Sequence, residues 1–245
     1  MSLPPVSDPA GGPLVPPSEP DDLSGHAHRQ LLGYLGLSLP ILVWLAAAWR
    51  PTEGFERWGL LGSISAYYHT GAVAVFVGIL IALAVFLFTY RGYRNEYARR
   101  DRVAAVIAGA AAVLVAVFPA GPPSGVTAPS WWTETTGTIH YAAAIVLFGA
   151  FIFFALFQFP KSKCKPGEPL PLEKRVRNRI YRVCGVAMLA CIAWAGSALF
   201  TDAPIFWPEA LALEFFAVSW LVKGRADRTA LTVGAQVLRA GRRPG

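Results

Sequence analysis

Nine consecutive residues, Gly62-Ser63-Ile64-Ser65-Ala66-Tyr67-Tyr68-His69-Thr70, place two serines, two tyrosines, a threonine and an imidazole in one short run. If that run is helical, Ser65 and His69 share a face at i and i+4. A second run, Thr135-Thr136-Gly137-Thr138-Ile139-His140-Tyr141, puts Thr136 and His140 on a common face in the same way, and two carboxylates follow at Asp202 and Glu209. Serine, histidine and a carboxylate are the types that nucleophilic hydrolysis uses, and two histidines with an acid could hold a catalytic zinc. The candidate catalytic residues are therefore Ser65, His69, His140 and Glu209, with His69 and His140 also the candidate metal ligands. Tyr68, Asp202 and Glu214 are the candidate binding residues. No Gly-x-Ser-x-Gly elbow is present, and two histidines supply no ligand spacing to test. Plainer roles compete: Ser63, Ser65, Thr136 and Thr138 are good helix caps, and Pro208 followed by Glu209 is an ordinary helix start.

The elements that must position these groups are apolar. Of 245 residues, 54% are hydrophobic and 15% charged, with a mean hydropathy of +0.44. The apolar residues form long blocks, and about 20 of them cross the ~30 Å hydrocarbon layer as a helix. Six blocks qualify: 31–49, 72–90, 103–120, 139–159, 182–200 and 205–222. None alternates with the period of two that a membrane barrel needs. The expected fold is an all-α membrane protein, a six-transmembrane-helix bundle over 30–224. A disordered Pro-rich tail precedes it over 1–29, and a basic tail follows over 225–245. The first tail lacks the basic and apolar regions of a signal peptide.

Charge gives the expected orientation. Twenty of the 22 Lys and Arg residues fall in the first tail, the second and fourth connections and the last tail; only Arg50 and Arg57 lie on the other side. Both termini are then cytoplasmic. The net charge of +7 follows this pattern rather than a basic patch interleaved with aromatics, so the lipid bilayer is the expected partner and nucleic acid is not. Protein partners are not legible. Cys164, Cys184 and Cys191 have no metal spacing and read as small packing residues.

Small residues recur every fourth position at Ala104, Ala108, Ala112 and Ala116, and at Ala74, Gly78 and Ala82. Lipid gives apolar side chains no incentive to associate, so the second and third spans are expected to approach through these two stripes. Trp58, Trp131, Trp132 and Trp207 fall at the outer ends, as an interfacial belt would. Glu214 lies ~8 Å deeper than Glu209 at helical rise. A carboxylate that deep needs a partner, a wet cavity or a proton.

With these runs in view, and with Arg177-Asn178-Arg179-Ile180-Tyr181-Arg182-Val183-Cys184 and Ser219-Trp220-Leu221-Val222-Lys223-Gly224 beside them, the chain resembles a family of uncharacterised six-span bacterial inner-membrane proteins classed as a domain of unknown function. The likeness covers about residues 30–224. The group is distantly similar to alkaline-ceramidase-like membrane hydrolases, and that resemblance implies Ser, Asp and His ligands around zinc. The family pattern carries an Arg-Asp pair just after Tyr-Tyr-His-Thr, where Ala74 and Val75 stand here. Three readings stay open. One is a membrane protein whose outer polar cluster binds a lipid or small molecule, the second a membrane-embedded hydrolase with or without zinc, and the third a transporter centred on Glu214.

Overall fold

The computed structural model describes residues 20–53, 55–90, 98–161 and 170–225, with the backbone alone for 20–24 and Leu199. Every regular element among them is helical. Six α-helices follow in order: α1 Pro20–Trp49, α2 Val73–Thr89, α3 Ala98–Val117, α4 Glu134–Phe153, α5 Leu172–Ser197 and α6 Phe206–Lys223. A 3₁₀ helix, Ser65–His69, precedes α2. A π-helical turn, Phe154–Gln158, prolongs α4, and a short 3₁₀ turn, Ala198–Phe200, follows α5.

Local chemistry sets most of these ends. Pro119 stops α3, since it lacks the N–H that another turn needs. Thr133 caps α4 by accepting from the Thr136 N–H, while the Thr136 side chain accepts from the Thr133 N–H, a reciprocal capping box. Pro208 stands in the first turn of α6, where a missing N–H costs nothing. Two helices reach further than their apolar blocks suggest. α1 begins at Pro20 rather than 31, taking in part of the expected tail, and α5 begins at Leu172 rather than 182, carrying Lys174, Arg175, Arg177, Arg179 and Arg182 on helical turns. Residues 1–19 and 226–245 of the expected tails, and Cys164, lie outside the described residues.

Three helices are long and apolar enough to cross a membrane: Gly25–Trp49, Glu134–Gln158 and Leu172–Ser197. Val73–Thr89 is a shorter apolar helix. α3 carries Arg99, Arg100, Asp101 and Arg102 at its start, and α6 carries Glu209, Glu214 and Lys223, so each joins charge to an apolar stretch.

The helices close a ring, each packing on the next in the chain and α6 returning to α1. Its core is aromatic: Phe151 and Phe216 stack at 3.8 Å, and buried Trp220 meets Tyr90, Phe154 and Phe159 edge-on. α1 approaches α6 through glycine. A Cβ on Gly36 would lie 2.6 Å from the Phe216 ring, and one on Gly33 2.7 Å from Leu221. The α2–α3 hairpin forms as expected, but through one of the two stripes. Ala104, Ala108, Ala112 and Ala116 are buried, whereas Ala74 and Gly78 are exposed and a Cβ on Gly78 would meet nothing within 4 Å. α2 instead presents Phe76, Leu80, Leu83, Ala84 and Leu87 inward, and Ala84 and Phe88 fill the space over Gly109 of α3. Larger apolar residues displaced the small stripe because they give more dispersion contact per turn.

Candidate functional site

The polar runs meet at the end of the ring that holds the 3₁₀ helix. The carbonyls just beyond the end of α3 have no intrahelical partners, and three ring N–H groups take them in sequence. His140 Nδ1 donates to Phe118 O at 2.7 Å, Trp132 Nε1 to Pro119 O at 3.2 Å and His69 Nε2 to Ala120 O at 2.9 Å. A carbonyl only accepts, so Nδ1 of His140 carries the proton and Nε2 presents its lone pair. Ser65 Oγ lies 2.9 Å from that Nε2 and donates to it. His140 is 1% exposed and Ser65 half-buried.

On the far side of the same loop, the first turn of α6 is held reciprocally. Gly62 O accepts from Ile205 N at 2.6 Å and Phe206 N at 2.9 Å, and Glu209 Oε2 accepts from Ile64 N at 2.7 Å. The Glu209 carboxylate also faces the positive end of its own helix. Within the loop, Ser63 Oγ accepts from Ala66 N, and Thr70 Oγ1 donates to Tyr67 O while accepting from Ala72 N. The buried Tyr67 hydroxyl accepts from Leu61 N, and burial pushes this phenol above its ordinary pKa, the Leu61 N–H working against that shift. The phenol therefore stays protonated at neutral pH.

Of the four candidate catalytic residues, then, Ser65 and His140 are in direct contact. His69 binds a carbonyl two residues from the one that holds His140, and Glu209 binds the backbone immediately before Ser65. Ser65 and His69 both belong to the 3₁₀ helix rather than to the start of α2. Tyr68 stacks edge-on against His69 at 5.5 Å and Phe76 at 6.3 Å. Asp202 sits exposed in the α5–α6 turn with a φ of 51°. Both nitrogens of His140 are engaged, and among the described residues no three His, Cys, Asp or Glu side chains stand together as a metal site requires. The described residues do not compose a zinc centre.

Compared with protein-family models, curated proteins and solved structures, the chain matches none.

Glu214 belongs elsewhere. It is half-buried in a groove of about 500 Å³ on the perimeter between α1 and α6, walled by Pro40, Trp44, Trp58, Phe206 and Trp207. Trp44 and Trp58 lie 5.5 Å apart, and Trp44 Nε1 donates to Trp58 O. Glu214 has no hydrogen bond or ion pair among the described residues. Sequence reasoning singled out Glu214 but not its aromatic walls, since Trp44 and Trp58 converge only through the bend of chain after α1. It also missed Trp132 as the third carbonyl donor, for which only its place just before Thr133 gives a signal.

Proposed function

We propose that the chain is a six-span membrane protein, both termini cytoplasmic, that binds an amphiphile with an ammonium head in the α1–α6 groove at its outer end. The orientation is supported by the ends of the helices: Arg99, Arg100, Arg102, Lys161, Lys174 and Lys223 gather at one end, against Arg50 and Arg57 at the other. The observation that carries the binding reading is the Glu214 carboxylate, without a partner among the described residues, beneath Trp44, Trp58 and Trp207. A carboxylate in apolar surroundings costs a few kcal/mol unless it meets a cation or a proton. Aromatic faces around it favour a quaternary or tertiary ammonium over a hydrated metal ion. The volume suits one small amphiphile.

Titrating the purified chain in dodecyl maltoside with dodecyltrimethylammonium tests this through tryptophan fluorescence. Saturable quenching, lost in Glu214→Gln and in Trp207→Leu, is expected. Equal response of wild type and Glu214→Gln would end the reading.

A second reading is supported by the Ser65–His140 contact, which has the geometry of an activated serine with a backbone carbonyl orienting the base. In this reading the family resemblance extends to hydrolysis of an ester or amide at the outer face, without requiring zinc. Its test is covalent labelling by a fluorophosphonate: Ser65 Oγ bonds to phosphorus, fluoride leaves and His140 Nε2 takes the proton. Labelling at Ser65 that vanishes in His140→Ala supports hydrolysis, and an unlabelled wild type rejects it.

A further inference from the structure

A second perimeter groove, of about 620 Å³, runs between α3 and α4 at the opposite, basic end. Val103 and Ile107 line it on α3, and Val146, Gly149, Ala150 and Phe153 line it on α4. These positions are spaced by three and four residues, so each helix offers one continuous apolar strip. Arg99 and Arg100 close the mouth, both exposed and neither with a hydrogen bond or ion pair among the described residues. The neighbouring charges are turned away: Asp101 is 7% exposed on the inner side of α3, and Arg102 donates to the carbonyls of Phe88 and Tyr90.

We infer that this groove is a binding site for one anionic phospholipid, its phosphate on Arg99 and Arg100 and an acyl chain lying along Val103, Ile107 and Gly149. Charge complementarity names the occupant. Two guanidiniums without a partner among the described residues match a phosphate through paired N–H donors. The eight helical steps from Arg99 to Ile107 span ~12 Å, most of one ~15 Å leaflet. An anion without a chain would leave the apolar strip uncovered, and a neutral lipid would leave the arginines unmatched. Gly149 makes the room: a Cβ there would meet nothing within 4 Å. The site rests on the chain lying in a bilayer but not on the α1–α6 groove or on Ser65.

The test uses the full chain in a neutral detergent, titrated with phosphatidylglycerol or with phosphatidylcholine of the same acyl chains and read by native mass spectrometry. One phosphatidylglycerol is expected to bind saturably and phosphatidylcholine not. Arg99→Ala with Arg100→Ala should weaken the phosphatidylglycerol site roughly thirtyfold, the combined effect of two basic residues at an anionic surface. Gly149→Leu fills the chain path without touching the charges and improves helix propensity, so it should fold and lose the lipid. Retention of phosphatidylglycerol by either variant overturns the site, as does displacement of the lipid by inorganic phosphate alone at millimolar concentration. Failure of membrane embedding itself shows separately, as a chain that stays dissolved without detergent.

Discussion

His140 donates to Phe118 O and accepts from Ser65, so its two neighbours stand to lose differently from its removal and from that of Ser65. Ser65→Ala leaves the buried His140 Nε2 without its donor and should cost ~1–3 kcal/mol. His140→Ala leaves a carbonyl and a hydroxyl unpaired and opens a cavity, costing about 2–4 kcal/mol. Thermal unfolding of both variants in detergent checks the order, and equal losses would show that the Phe118 contact contributes nothing. Glu209 allows a finer division. Glu209→Gln keeps an oxygen for the Ile64 N–H, so it should lose little. Glu209→Ala forfeits a charge-assisted bond worth ~1.5–3 kcal/mol. The same residues were legible in the sequence as types but not as roles. Ser65 and His140 stand 75 positions apart, and nothing in either run announces that the Phe118 carbonyl beyond α3 will orient the imidazole between them.

Helix ends give these contacts a common cause. A helix leaves its last carbonyls without intrahelical donors, and apolar surroundings offer no water in their place. Side chains from neighbouring elements supply the donors in five of the six helices. Arg57 reaches Ala48 O after α1, and His28 reaches Phe86 O within the last turn of α2. His140, Trp132 and His69 serve the carbonyls after α3, Lys174 and Lys223 share Phe159 O after α4, and Gln30 serves Gly224 O after α6. The hydroxyl and imidazole density at 62–70 is therefore in large part what closing helix ends demands. Sequence periodicity located the apolar elements because block length and composition are local properties. It misassigned an interface because a small-residue stripe shows only that close approach is allowed. Gly33 and Gly36 make that approach, and Gly78 does not. Accordingly Gly36→Val, forced against the Phe216 ring and Leu213 O, should destabilise the bundle by ~1–3 kcal/mol. Gly78→Ala, facing open space in a helix, should be neutral or stabilising by up to ~1 kcal/mol. The opposite order in a denaturation series would restore the stripe as a packing face.

Over the whole molecule, the closed ring sorts charge by end, and in the proposed orientation that sorting ties each groove to a leaflet. The arginines of the α3–α4 groove lie with the basic connections, and the carboxylate of the α1–α6 groove lies toward the end tied by histidine, tryptophan and Glu209. Trp58, Trp131 and Trp207, each more than half exposed, ring that second end as headgroup-level aromatics do. If lysine and arginine govern insertion here, two positions must report opposite compartments. Gly125, at a φ of 85° in the exposed α3–α4 connection, accepts an inserted reporter without breaking a helix, and a second reporter can follow Gly245. A phosphatase that is active only outside the cytoplasm should work when inserted at Gly125 and fail when fused after Gly245, while a cytoplasm-dependent fluorescent protein should do the reverse. If all six helices cross, both termini lie on one side, so a signal outside from the Gly245 fusion would mean either an inverted bundle or a lost or added span. Inversion would exchange the leaflets, placing Arg99 and Arg100 away from the anionic face and removing the electrostatic reason for a phosphate to bind there.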